Sequence, residues 1–353
     1  MNLQERSLAK INMLTQLMAA DGLDGMIITH PLDQYYLCGA FILPKEAIYL
    51  VHPKGVTCIT RKLYIDTLLK THPFMEYVGQ DHERAQKMAE VIAEKGLKHV
   101  GFDAQQEDYY NGKFFKEQGY VEAKSYIRQL RFVKDEYDIE IIRESCRIAY
   151  NAYEQVLPLF KEGVTELEMC AALEHSMRLQ GASHPSFQTM VAFGDGTGDV
   201  HHESTNRKLK FNEAIMIDFG CVYKGYCSDM TRSWWYGDKE PEEYKKIWSL
   251  VNTAWKAGIA AEKPGISGRD VDSVARKIIT DAGYGEYFNH RLGHGVGMEI
   301  HEEPCNDQNN PNPLQKGNVI TVEPGIYLPG KFGVRLEETT VITDTGAEIL
   351  TRK

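Results

Sequence analysis

The sequence predicts an α/β domain with a mixed sheet over residues 1–125, then a second domain over residues 126–353 that opens on long helices and turns strand-rich. Three observations predict it. The chain has 353 residues, where one domain usually has about 100–200. Helical and strand periods alternate through the first part of the chain. After "YIRQLRFVK", Tyr126–Lys134, that alternation gives way to amphipathic helical runs and then to apolar strands.

Leu3, Leu8, Ile11, Leu14, Leu17 and Met18 recur at helical spacing until Asp21-Gly22 stops the run. A short apolar strand follows at Met26–Ile28, with further strands at Ala47–Val51 and Val56–Thr60. A helix over His82–Lys95 ends at Gly96. A strand at His99–Phe102 leads to a helix that reaches Gln118, with Gly119 as its stop. In the second domain, Ile139, Ile142, Cys146, Ala149 and Tyr153 mark one face of a helix that begins near Asp135. Another helix spans Thr165–Leu179, and strands dominate after Gly181.

The net charge of −10 gives no broad basic surface for nucleic acid. The opening "MNLQERSLAKINMLTQLMAADG" lacks the basic start and apolar run of a signal peptide. No stretch approaches the about 18 apolar residues of a membrane span. Seven cysteines, an odd number with no CxxC pair, read as reduced thiols and point to a cytoplasmic protein.

The chemistry lies in the strand-rich part. In "AIMIDFGCVYKGYCSDMTRSWW", a two-residue turn at Lys224-Gly225 pairs Tyr223 with Tyr226, Gly220 with Asp229 and Asp218 with Thr231. Asp218 and Asp229 then share a face as diagonal neighbours, about 7–8 Å apart. Two carboxylates on an apolar hairpin are costly unless something positive sits between them, and they can share two metal ions about 3.5–4 Å apart. Ordinary surface acids are the rival reading, which the continuous apolar run before Asp218 weakens.

The pattern recurs downstream. Glu323 ends the strand of "NVITVEPGIY" and Glu337 lies in "GVRLEETTVI", placed symmetrically about Gly330. Strands folded back there bring the two acids roughly opposite each other, with an irregular ladder at Pro324. The stretch "HRLGHGVGMEIHEEP" adds His294 among Gly293, Gly295 and Gly297, whose bare backbone permits close approach to a buried ion. Four carboxylates and one imidazole suit Mn, Co, Fe or Zn at a dinuclear site better than a structural zinc site.

At these residues the sequence resembles the creatinase/aminopeptidase P/prolidase family of pita-bread metallopeptidases, and within it the Xaa-Pro dipeptidase (prolidase) type. The matching motifs are "DFGCVYKGYCSDMTR", "GHGVGMEIHEEP", "VEPGIY" and "VRLEE", and the likeness runs from about residue 128 onward. The resemblance implies an α+β pita-bread catalytic domain behind a creatinase/prolidase-like domain. It also implies cleavage of the bond between an N-terminal residue and proline in a short peptide, by a water or hydroxide held between two divalent metals. Asp218 would bind one metal, Asp229 and Glu337 would bridge both, and His294 and Glu323 would complete the other. Glu323 would shuttle protons, and His202 and His301 would contact the substrate. His202 aligns with the family's "PHG" histidine when Lys208 is the anchor, with His201 as its rival. Arg335 either neutralises the acids, the better fit, or binds a substrate carboxylate, and Tyr327 lines the substrate pocket. The other histidines, His290 among them, are structural or exposed. A homodimer is also implied.

Two departures lie on the substrate side. Cys305 stands where many prolidases carry arginine, and "HHE" replaces "PHG". They leave hydrolysis as the expectation and weigh against strict Xaa-Pro dipeptide specificity. A small non-peptide amide is the alternative substrate, and a binding relative without turnover is a third reading, against which the complete ligand set argues.

Overall fold

A computed structural model describes residues 2–352, which divide into two compact units between Arg131 and Phe132. In the first unit the elements run α1 (Leu3–Ala20), β1 (Gly25–Ile28), α2 (Pro31–Cys38), β2 (Ala47–His52), β3 (Gly55–Thr60), α3 (Lys62–Thr71), β4 (Glu76–Gly79), α4 (Arg84–Lys95), β5 (Val100–Phe102), α5 (Tyr109–Glu117), β6 (Val121–Glu122) and α6 (Tyr126–Phe132). The six strands form one sheet in the order β4-β3-β2-β1-β5-β6. β2 runs antiparallel to both neighbours, while β3/β4, β1/β5 and β5/β6 are parallel, so the sheet is mixed. Ile27, Leu50, Ile59, Met88, Phe102 and Phe115 fill its core. Helix α1 starts on a capping box between Asn2 and Glu5 and stops at Asp21.

The division falls later than residue 125 because α6 is tied to the first unit. The Tyr126 hydroxyl donates to Asp21 at 2.6 Å, the Tyr36 hydroxyl donates to the Leu130 carbonyl at 3.1 Å, and Arg131 pairs with buried Asp33 at 3.1 Å. Helices α2 and α3 and strand β4 were not singled out by periodicity; each is short.

The second unit runs α7 (Glu136–Val156), α8 (Glu166–Leu179), β7 (His184–Pro185), β8 (Met190–Phe193), β9 (Glu213–Phe219), β10 (Cys221–Tyr223), β11 (Tyr226–Cys227), β12 (Met230–Tyr236), α9 (Glu242–Ala261), α10 (Gly268–Asp281), β13 (Gly293–Gly295), β14 (Glu302–Asn306), β15 (Val319–Val322), β16 (Gly325–Leu328), β17 (Phe332–Arg335), β18 (Glu338–Ile342) and β19 (Ala347–Ile349). Among the described residues, it holds a small cluster of Met190, Ala192, Met216 and Tyr327 and two larger apolar cores. One lies between α7, α8 and the β12-β9-β8 sheet, with Ile148, Leu173, Phe193, Ile217 and Phe219. The other lies where α9 and α10 pack on β15, β16 and β17, with Val251, Ile279, Leu292, Ile320, Val322 and Ile326. Capping boxes at Asp135/Asp138 and Thr165/Glu168 set the starts of α7 and α8.

Both hairpin registers agree with the sequence pattern. Lys224 (φ 46°) and Gly225 (φ 80°) make the tight turn, Tyr223 faces Tyr226, and Asp218 faces Thr231. About Gly330, Gly325 faces Arg335 and Val322 faces Glu338. The two ladders flank Pro324 and belong to different sheets, which leaves Glu323 and Glu337 in the break between them. All seven cysteines are buried and unpaired. Among the described residues, no helix is long and apolar enough to cross a membrane.

Candidate metal centre

Asp218 leaves the end of β9, Asp229 immediately precedes β12, and His294 sits at the middle of the three-residue β13. With Glu323 and Glu337 from the break at Pro324, all five line one cavity of about 300 Å³. Asp229, His294 and Glu337 are buried, and each offers a ligand atom within 4.8 Å of the others. His294 Nε2 lies 3.4 Å from both Asp229 Oδ2 and Glu323 Oε1.

The orientation of each donor has a cause in the surrounding shell. His294 Nδ1 donates to the Gly295 carbonyl at 3.1 Å, which leaves the Nε2 lone pair facing the acids. Thr321 Oγ1 accepts from the His294 backbone N–H at 3.0 Å and donates to Glu323 Oε1 at 3.1 Å, locking these two donors together. Thr231 Oγ1 donates to Glu337 Oε2 at 2.6 Å and accepts from Arg335 Nε at 3.1 Å. Thr231, placed opposite Asp218 by the hairpin register, thus serves Glu337. The sequence pattern gave no hint of Thr321.

The glycines around His294 are required by close approach. A Cβ on Gly293 would lie 1.8 Å from the Thr321 carbonyl oxygen, and one on Gly297 would lie 2.1 Å from the Glu302 carboxylate. That carboxylate is itself held by buried Lys134 at 2.6 Å. Gly293→Ala is therefore expected to lower the thermal midpoint by several degrees, the size of about 1–3 kcal/mol of overpacking. A thermal scan checks this, and an unchanged midpoint would mean that the 293–321 contact is loose.

The electrostatics test whether cations belong here. Burial pushes the Asp229 carboxyl well above its ordinary value, and the Asp218 charge pushes it further. Burial does the same to Glu337, aided by Asp229 and Glu323. Glu323 is raised to about 7, by burial first and then by Asp229 and Asp218 against the opposing His294 and Arg335. Asp218 Oδ1, Asp229 Oδ1 and Glu337 Oε1 are buried with no hydrogen-bond partner among the described residues. Buried carboxylate oxygens without donors are expensive, and divalent cations satisfy them. The donor set of hard oxygens and one imidazole fits such ions.

Among the described residues, Arg335 is the one buried arginine or lysine whose side chain is paired with an acid of this group. Its Nη2 donates to Asp218 Oδ2, and its Nη1 donates to the Tyr327 hydroxyl at 2.8 Å. Burial opposes its charge, but Tyr327, Asp218 and the other acids hold it charged. Arg335 thus neutralises the acids, the first of the two roles its position allowed. Tyr327, expected to line the substrate pocket, stands behind the cavity wall. Its hydroxyl accepts from Arg335 and donates to His290 Nε2 at 2.9 Å. His290 Nδ1 donates to the Arg291 carbonyl at 2.7 Å, so the ring is neutral, and burial lowers its pKa to about 3. His290, expected to be structural or exposed, is structural in its bonds yet forms part of the cavity wall.

Two other histidines line the cavity. His301 lies edge-on to His294, ring centroids 4.3 Å apart, and His201 enters from the loop after β8. His202 does not reach the cavity, contrary to the alignment through Lys208. Its Nε2 contacts buried Glu166 Oε2 at 3.0 Å, at the first turn of α8. Glu166 also accepts from the backbone of Phe193 at 2.9 Å and of Thr205 at 2.8 Å. With His202 seated against Glu166, it is His201 that lines the cavity with the acids.

Comparison with known proteins gives a consistent picture. Residues 140–344 match "Metallopeptidase family M24", and residues 10–133 match "Creatinase/Prolidase N-terminal domain". The chain is 36% identical over 349 residues to an uncharacterized peptidase of Staphylococcus saprophyticus, covering 97% of this chain and 99% of that one. A Xaa-Pro dipeptidase from Bacillus anthracis has the same fold at TM-score 0.93, with 32% identity and 98% of each chain covered. The prolidase from Pyrococcus horikoshii OT3 superposes at TM-score 0.89, with 33% identity and 98% of each chain. An X-Pro aminopeptidase from Thermotoga maritima MSB8 superposes at 0.86, with 32% identity over 94% of this chain and 96% of that one.

Proposed function

The chain belongs to metallopeptidase family M24, with a pita-bread catalytic domain behind a creatinase/prolidase-type domain, and we propose that it hydrolyses the bond between an N-terminal residue and proline. One observation carries the reading: five metal-type donors converge on one cavity, and three of their carboxylate oxygens have no protein partner among the described residues. Solved structures of both a Xaa-Pro dipeptidase and an X-Pro aminopeptidase lie at 32% identity, which supports the bond and leaves open the length of the peptide.

Asp218, Asp229, His294, Glu323 and Glu337 would hold two divalent cations. When bound, such ions supply a water of lowered pKa and polarise the scissile carbonyl. The protein's own groups do the rest. Glu323 takes a proton from the attacking water and delivers it to the departing proline nitrogen as the C–N bond breaks. His201 and His301, on the cavity wall, donate hydrogen bonds to the carbonyl oxygen as charge develops on it. Arg335 holds Asp218 from behind and offsets part of the negative charge gathered there.

The test is a rate measurement on metal-stripped protein with Mn or Co added back. The panel holds Xaa-Pro dipeptides, longer Xaa-Pro peptides and non-peptide amides. Cleavage of an Xaa-Pro bond that vanishes with chelator and returns with metal is the expected result. Folded, metal-loaded protein that cleaves only non-peptide amides, or nothing, would overturn it.

A further inference from the structure

We infer that Arg291 is the specificity-determining residue of this cavity, reading a free carboxylate on the substrate next to the scissile bond. The inference rests on the peptidase reading for the substrate's identity. Arg291 lies three residues before His294 and lines the metal cavity beside His201, His294 and His301. It also lines a second cavity, of about 580 Å³, bounded by Glu303, Cys305, Asp307 and Asn310. Among the described residues, Arg291 is the one common to the linings of the two spaces.

Its guanidinium is unusually free for such a place. The contact it makes is from Nη1 to the thiol of buried Cys305, at 3.4 Å. A thiol is a weak acceptor, so most of the five guanidinium donors are left available. Glu303 and Asp307 border the second cavity, yet no carboxylate among the described residues comes within ion-pair distance of Arg291. Arg335, the other arginine on the metal cavity, is already committed to Asp218, Tyr327 and Thr231. A partly buried guanidinium with no anion of its own, facing a polar cavity, is built to take one from a ligand.

The chemistry selects the ligand class. In an Xaa-Pro dipeptide, the proline carboxylate sits two bonds from the nitrogen of the scissile amide. A substrate seated with its carbonyl at the acid group then carries its carboxylate within the same small space. A longer peptide, or a dipeptide amide, presents a neutral carbonyl there and forfeits the charge-assisted pair. The arginine therefore favours dipeptides over longer chains.

The experiment uses manganese-loaded full-length protein and a non-cleavable probe, Ala-Pro with the scissile carbonyl reduced to methylene, alongside the C-terminal amide of that probe. Calorimetry should show that the wild-type protein prefers the free acid by about 10- to 100-fold. Arg291→Met should lose that preference with metal content and thermal midpoint unchanged, and Arg291→Lys should regain part of it. Equal binding of acid and amide by the wild type, or a preference that survives in Arg291→Met, would overturn the inference. Because the readout is binding, a protein that shows the preference yet never cleaves an Xaa-Pro bond would sink the peptidase reading while leaving the carboxylate site standing.

Discussion

Asp229→Asn is expected to abolish turnover and most of the bound metal while leaving the metal-free protein at least as stable as the wild type. The second half of that expectation makes it specific. In the absence of ions, Asp229 is a buried carboxyl whose pKa is driven up by burial and by Asp218. An amide of the same shape removes one member of a repelling group, so the apo fold gains or holds its stability. The wild type, in turn, should be stabilised by its ions. At a free concentration of about 100 times the dissociation constant, a bound ion adds about 2.7 kcal/mol. For a domain of this size that raises the thermal midpoint by roughly 5–10 °C. The variant should lose most of this shift. Parallel thermal scans with and without manganese, with metal analysis of the same samples, give both numbers. Normal turnover, or an undiminished shift, would remove Asp229 from the site.

His201→Ala and His202→Ala should fail in opposite ways, although the two residues are neighbours. His201 is exposed on the cavity wall. Its removal should cost about 10²–10⁴ in kcat, with metal content and thermal midpoint preserved. His202 holds a carboxylate that is itself fully buried. Its removal should cost about 1–3 kcal/mol of stability, less than a fully buried pair because the imidazole is partly exposed and Glu166 keeps its bonds to Thr205 and Phe193. Turnover should stay near wild type below the lowered midpoint. The reverse pattern would put His202 at the chemistry and His201 outside it.

The His202–Glu166 pair also carries a pH signature. The bond to Glu166 raises His202 above its usual 6.5, against burial. Burial works to raise Glu166, but the bonds from His202 and Thr205 win and hold it below 4.5. The stability supplied by the raised histidine is complete below about 6.5 and fades as pH climbs through its folded value. The part supplied by the lowered carboxyl is complete above about 4.5 and fades as pH falls through its folded value. The difference in stability between wild type and His202→Ala should thus be largest between those limits and shrink toward pH 8. A difference that grows on the alkaline side would contradict the ion pair.

Much of the site was legible before any coordinates because the acids sit on regular strands. Period-two alternation and a two-residue turn at Lys224-Gly225 were enough to place Thr231 opposite Asp218, and symmetry about Gly330 predicted the pairing of the strands that carry Glu323 and Glu337. Tyr327 and Arg335 lie on the same kind of strand, but alternation tells only which side a residue faces. It does not say whether water, substrate or another side chain waits there. Arg335 meets Asp218, and Tyr327 meets His290, across separations of 117 and 37 residues.

The loop after β8 shows the limit most sharply. "DVHHESTNRK" has no helix or strand period, and two adjacent histidines are interchangeable to any local rule. Glu166, 36 residues upstream, breaks the tie by accepting His202. The domain boundary moved for the same reason: α6 reads as the start of something new, yet Asp21 and Asp33 hold it in the first unit.

The sequence by itself determined the α/β and strand-rich division, the strand registers and the candidate set of acids and imidazole, because each follows from local period, turn chemistry and residue type. Only the tertiary structure decided which histidine faces the cavity, what Arg335 neutralises and which guanidinium is left without an anion. Those outcomes depend on contacts between segments far apart in the chain, and buried charge pairs are won by whichever distant partner the packing brings within reach.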